Sequence, residues 1–218
     1  MIEVEQFADA RHIRIDDGGV NVITLGIARS LLAAIESAAD DGATRCVIIE
    51  GNSRALSVGL DTETVLRNDD DSRALLATMG QVLKTLYLSR LRSIVIAQGH
   101  ATAAGAMLLL VADRRIGCGA GGKVGLSEVR FGLGVPRATQ QLVRDRISAR
   151  HQFECTALAT LYDYGGAEQA GFLDVRCETP EASLALAREM AADLCALDEA
   201  AYLETKTAVR SAYANLVD

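Results

Sequence analysis

The sequence predicts an α/β fold, on three observations. Strand-like and helix-like segments alternate from the start of the chain to about residue 146. Two of the strand segments, Arg45–Ile49 and Ser93–Gln98, are almost continuously apolar, as strands buried on both faces of a parallel sheet are. From Ile147 to Asp218 the patterning turns mainly helical.

Taken in order, His12-Ile13-Arg14-Ile15-Asp16 alternates in polarity, Gly18-Gly19 supplies a turn, and Val20 to Leu25 reads as the returning strand of a hairpin. Ile27, Leu31, Leu32, Ile35 and Ala39 share one helical face, and Asp40-Asp41-Gly42 stops that helix. After the strand Arg45–Ile49 comes ALSVGLD, residues 55–61, which turns through Gly59. The polar run Arg67-Asn68-Asp69-Asp70-Asp71 is expected as a solvated loop, with a lid over a site as the alternative. Leu75, Leu76, Met79, Val82, Leu83 and Leu86 mark a second amphipathic helix. Ser93–Gln98 then leads into a helix from about Ala103 to Val111. Beyond a break at Gly165-Gly166 and a short apolar piece at Phe172–Val175, Ala182–Leu197 and Ala200–Leu216 read as Ala/Leu-rich helices of the kind that pack on a partner subunit. The expected division is a core over residues 1–146 that carries the site and a helical, oligomerising region over 147–218.

Composition narrows the function classes. The formal charge is −7, which argues against nucleic acid as a general partner because phosphate binding needs a clustered positive field. Only 4% of residues are aromatic, so the core is built from Ala, Leu, Val and Ile. The five cysteines (Cys46, Cys118, Cys155, Cys177 and Cys195) are odd in number and lack CxxC spacing. They read as reduced, mostly buried thiols of a cytoplasmic protein. Residues 1–10 carry three acids and no apolar run, unlike a signal peptide. The longest apolar run, Ala103–Ala112, falls short of the roughly 20 residues that span a bilayer.

Chemistry concentrates in Gly99–Pro136 and in the ALSVGLD segment. In each, a buried strand ends, the chain turns through small residues, and a helix or loop follows. Amides at a helix start lack internal partners and carry partial positive charge, so they stabilise an oxygen that gains negative charge. Gly59, Ala103, Ala104 and Gly105 leave room for a ligand to reach that backbone; tight helix packing is the competing explanation. Gly117, Gly119 and Gly122 spell GxGxxG, but the KVGLSEVRFG that follows opens no βαβ unit, so a dinucleotide site is not expected. Gly125-Leu126-Ser127-Glu128-Val129 lacks the last Gly of a nucleophile elbow. His100 reads as a structural or rim residue, and with His12 and His151 it forms no metal-ligand spacing, so no metal is expected.

These segments resemble the crotonase superfamily, the enoyl-CoA hydratases and isomerases. Ala55–Asp61 is similar to its FSxGxD segment, and Gly99–Ala106 (GHATAAGA) to its NGxAxGGG turn with about one extra residue. Ala112–Ile116 resembles the CDxRIA strand, and Gly125–Val129 with Gly132–Pro136 resembles FGxPE…LGxxP. Tyr164–Val175 is similar to the family's A…A…GLV helix and strand, so the likeness covers nearly the whole chain. The resemblance implies a spiral of ββα units with a helical C-terminal region, assembled as a homotrimer or dimer of trimers. It implies an acyl-CoA thioester as ligand, with no cofactor beyond coenzyme A as part of the substrate. It places the oxyanion hole at the amides of Val58 and Ala104, beside the substrate-binding residues Leu56, Gly59, Leu60, Asp61, Ala103, Gly105 and Met107.

Hydratases of the family carry two glutamates; the positions here are Met107 and Glu128. Glu128 can remove a proton beside a thioester while the two amides hold the enolate oxygen. Hydration divides its proton work between two carboxylates, and Met107 cannot share it. One carboxylate suffices to carry a proton between C2 and C4, so double-bond isomerisation is expected over hydration. A non-catalytic acyl-CoA binder or accessory subunit is the alternative, suggested by the missing glutamate and by alanines at 103 and 104; thioester hydrolysis is a third reading. The acyl-pocket walls are expected from Thr62–Leu76 and the C-terminal helices.

Overall fold

In a computed structural model, which describes residues 1–119 and 121–217, the chain begins with β1 (Ile2–Phe7), β2 (Ala10–Ile15), β3 (Val22–Ile23) and α1 (Leu25–Asp40). Next come β4 (Cys46–Glu50), β5 (Ala55–Ser57), β6 (Gly59–Leu60), α2 (Thr62–Arg67) and α3 (Asp70–Leu88). Then follow β7 (Arg92–Gln98), β8 (His100–Thr102), α4 (Ala104–Val111), β9 (Arg114–Cys118), β10 (Val124–Gly125) and a 3-10 turn at Glu128–Phe131. The chain closes with α5 (Arg137–Arg146), α6 (Ala149–Thr156), α7 (Tyr164–Ala170), β11 (Val175–Cys177), α8 (Pro180–Cys195), α9 (Glu199–Val209) and α10 (Ser211–Val217).

The long strands form one sheet in the order β1-β2-β4-β7-β9-β11, parallel except for β1. After each central strand a short strand turns out of this sheet: β5 follows β4, β8 follows β7 and β10 follows β9. These three make a second parallel sheet, β10-β8-β5, while β3 pairs with β6. Repetition of long strand, short strand and helix is the α/β spiral expected of the chain.

Burial accounts for the strand patterns. Every residue of β4 and of β7 is buried, because α1 and α3 cover one face and α8 the other. Val47, Ile49 and Val95 face the larger core, whereas Cys46, Ile48, Ile94 and Ile96 face α8. Helix α4 is buried at all eight positions, which explains its lack of a polar face.

Three expectations are corrected. The hairpin forms upstream, between β1 and β2, rather than across Gly18-Gly19. The Asp17 carboxylate accepts from the amides of Gly19, Asn21 and Val22 at 2.6–3.0 Å, so the Gly18-Gly19 segment folds locally and β3 departs from β2. The acidic run 67–71 is a helix junction and not a loop. Asn68 caps α2 in the left-handed conformation, and the Asp69 carboxylate accepts from the Ser72 amide to cap α3. Asp70 and Asp71 then complement the positive end of α3. The last expected helix is divided at Arg210 into α9 and α10.

Residues 147–218 are woven into the same body. Strand β11 extends the main sheet beside β9, and the Tyr164 hydroxyl donates to the carbonyls of Ala97 (2.7 Å) and Gly99 (2.8 Å). Asp113, just before β9, accepts from Tyr202 (2.9 Å) and Arg210 (2.6 Å) and pairs with Lys206 (3.4 Å), which pins α9. No helix among the described residues is long and apolar enough to cross a membrane.

Candidate active site

The β5–β6 turn and the β8–α4 turn meet side by side. Gly59, at φ +121°, takes a conformation open to glycine, and a Cβ on it would come within 2.9 Å of the Ala103 Cβ. The Thr102 hydroxyl donates to the Val58 carbonyl at 3.1 Å and ties the turns together. Gly105 is required by packing, since a Cβ there would meet the Ser57 carbonyl at 2.3 Å.

Between these turns and the 3-10 turn at Glu128 opens a cavity of about 740 Å³. Its floor is the start of α4, where Ala103 offers no side-chain cap to the first amides of the helix. The Ala104 amide, the first of that helix, borders the cavity without an intrahelical acceptor.

The second expected donor does not present its amide. Val58 lines the cavity, but its N–H donates to the Val20 carbonyl at 3.2 Å, so the scaffold already uses both of its peptide groups. The backbone then reverses through Gly59. Asp61 N–H reaches the Ile23 carbonyl at 3.0 Å, which directs the adjacent Leu60 N–H away from β3, and Leu60 borders the cavity. The residue between Gly59 and Asp61 is therefore the better-placed donor.

Glu128 is 9% exposed and borders the cavity from the 3-10 turn. Its Oε2 is fully buried with no hydrogen-bond partner, and burial pushes its carboxyl above the usual glutamate range. A carboxyl raised in this way is a better general acid and base than an exposed glutamate.

Gly59, Leu60, Asp61, Ala103 and Met107 also line the cavity. Asp61 is committed to the scaffold: its carboxylate caps α2 and accepts from the Thr64 hydroxyl at 2.6 Å. Leu56 and Gly105 lie behind the wall, Leu56 in the core and Gly105 against Ser57. The expected wall from Thr62 to Leu76 is present and continues to Met79. Beyond Pro136, Leu161 alone of the described residues borders the cavity, so the C-terminal helices of this chain do not. Sequence reasoning missed Arg130 and Phe131; their position next to Glu128 was the available signal.

Fold and site together define a crotonase-superfamily protein. The chain matches the enoyl-CoA hydratase/isomerase family over residues 9–216 and belongs to that family of enzymes. It is similar to an enoyl-CoA hydratase/isomerase family protein from Pseudomonas syringae, at 28% identity and TM-score 0.92, covering 100% of this chain and 93% of that one. It is also similar to an enoyl-CoA hydratase from Mycobacterium ulcerans (26%, TM-score 0.92, 99% and 94% covered). A third relative, the Mycobacterium tuberculosis enoyl-CoA isomerase, shares 25% identity at TM-score 0.91, with 99% and 93% covered. That same protein is elsewhere described as a probable enoyl-CoA hydratase. No curated protein matches the chain.

Proposed function

We propose that the protein moves a proton on an acyl-CoA thioester, with Glu128 as the single acid/base and the Ala104 and Leu60 amides holding the enolate oxygen. The observation that carries this reading is the buried Glu128 carboxylate, its Oε2 without a hydrogen-bond partner, beside the uncapped start of α4. With the thioester oxygen between the two amides, charge developing on it on removal of a C2 proton is stabilised. Loss of one such donor costs on the order of 10²–10³ in rate. No second carboxylate stands at position 107, so water is not activated there. Glu128 instead returns the proton at C4, and a 3-enoyl thioester becomes a 2-enoyl thioester.

Coenzyme A enters as part of the substrate, with no further cofactor. The reading includes assembly as a homotrimer or dimer of trimers. In its support, Phe131, Phe153 and Leu158 are exposed where Arg130 reaches the Ala159 carbonyl (2.8 Å). Light scattering tests the assembly.

A panel of 2-enoyl, 3-enoyl and 3-hydroxyacyl CoA esters, read by mass spectrometry with Glu128→Gln as control, tests the chemistry. The expected result is conversion of 3-enoyl to 2-enoyl esters by wild type alone. Tight binding without turnover on any ester would favour the acyl-CoA binder, and free CoA would indicate hydrolysis.

A further inference from the structure

Four of the five cysteines lie where α8 packs on the main sheet. Cys118 and Cys177 are register partners on β9 and β11. At the other end of α8, its last residue, Cys195, shares a buried cluster with Cys46 of β4, near enough for each thiol to shift the other's titration, while the Cys46 S–H reaches the Val47 carbonyl at 3.7 Å. Cys46 is fully buried, whereas Cys195 borders a surface depression of about 320 Å³ beside Phe7, Asp9 and Arg188. Cys46 is thus sealed in the core, while Cys195, 8% exposed, lies at the edge of that depression.

The surroundings separate the two chemically. The neighbouring Cys46 thiol, then the positive field of Arg45 and Arg92, bring the Cys195 thiol down to about 7 against the opposing effects of burial and Asp9. The Cys195 thiol and burial hold Cys46 well above the usual thiol range. Burial raises Cys118 and Cys177, and lifts Cys155 to about 11.

We propose that Cys195 and Cys46 form a peroxide-responsive dithiol, in which a hydroperoxide oxidises Cys195 and Cys46 resolves it to a disulfide. The Cys195 thiolate attacks the terminal peroxide oxygen, the O–O bond breaks, and the departing oxygen takes a proton to leave as water or an alcohol. Cys46 sulfur then attacks the sulfenic sulfur; the S–S bond forms, the S–O bond breaks, and hydroxide leaves with the Cys46 proton as water. The two thiols lose two electrons and two protons, and the hydroperoxide takes them up. The disulfide staples the end of α8 to the central sheet on the face away from the cavity, so it stands apart from the acyl-CoA reading.

The test exposes wild-type protein to hydrogen peroxide, quenches with an alkylating agent and maps peptides without reduction. The expected result is a Cys46–Cys195 cross-link, loss of two of the five alkylatable thiols and recovery on dithiothreitol. Cys46→Ala is expected to leave a dimedone-reactive sulfenic acid on Cys195, with acyl-CoA turnover as in wild type. First reaction at Cys118, Cys155 or Cys177 would overturn the proposal, as would oxidation of Cys195 to the sulfinic acid without a cross-link.

Discussion

The buried Thr139 hydroxyl donates to the Met107 sulfur at 3.6 Å, so an uncharged side chain is held in the wall of the cavity that Glu128 borders. Met107→Glu would put a second carboxylate there, with Thr139 as a ready donor. We expect it to create or raise hydration of crotonyl-CoA, read as 3-hydroxybutyryl-CoA formed, at a stability cost on the order of 1–3 kcal/mol for the buried polar group. Brisk hydration by wild type would defeat the one-carboxylate argument.

Glu128 sets activity against stability. Its ionised carboxylate is buried with Oε2 lacking a partner, so Glu128→Gln removes a penalised charge. The variant is expected to lose at least ~10² in turnover while CoA-ester binding, measured by calorimetry, stays near wild type. Thermal unfolding at pH 7 should show it about 1 kcal/mol more stable. Unchanged turnover would remove Glu128 from the mechanism.

The same burial sets the pH dependence. The folded chain binds the Glu128 proton more tightly than the unfolded chain, so the acid limb of kcat/KM should lie above the ordinary value of 4.5. The stability penalty is present above the raised folded value and is relieved as pH falls through it toward 4.5. Gln at 128 abolishes that dependence, and pH-resolved melting of both proteins checks it.

Ala103 sits at φ +50° and ψ −116°, where a Cβ is strained. Ala103→Gly relieves that strain. After allowing for the looser unfolded chain, a gain of about 1 kcal/mol is expected in denaturant unfolding. A drop in stability would show that the Ala103 Cβ contact outweighs its backbone strain.

Asp113 anchors α9 through charge. Burial alone would raise its carboxyl, but Lys206 and Arg210, with the hydrogen bonds from Tyr202 and the Ser93 amide, hold it below the usual aspartate range. Its contribution is therefore present above about the ordinary value of 3.8 and is lost as pH falls through the depressed folded value. Asp113→Ala leaves Lys206 buried without its carboxylate partner, and a loss of about 3–5 kcal/mol is expected by urea unfolding.

Much of the architecture is legible in residue order. The unbroken apolar runs at 45–49 and 93–98 are β4 and β7, and the Leu75–Leu86 spacing is the buried face of α3. Gly59, Ala104 and Glu128 were visible as one site because their segments resemble a family's. The acidic run was misread because capping and solvation ask for the same residues, and only the position of Asn68 and Asp69 between two helices separates them. The first turn was misread because Gly18-Gly19 reads as a hairpin signal, while the Asp17 side chain spends the local amides on itself.

The sequence by itself determined the order and type of most elements, the family, and the groups at the motif positions: a carboxylate at 128, small-residue turns and no acid at 107. Tertiary structure alone decided which groups are free to act. Val58 loses its amide to Val20, the Asp61–Ile23 bond directs the Leu60 amide away from β3, Oε2 of Glu128 is buried without a partner, and Cys195 and Cys46 meet in one buried cluster. The physical reason is that periodicity records which face of an element is buried. Whether a donor, a carboxylate or a thiol is spent depends on groups brought to it from distant parts of the chain.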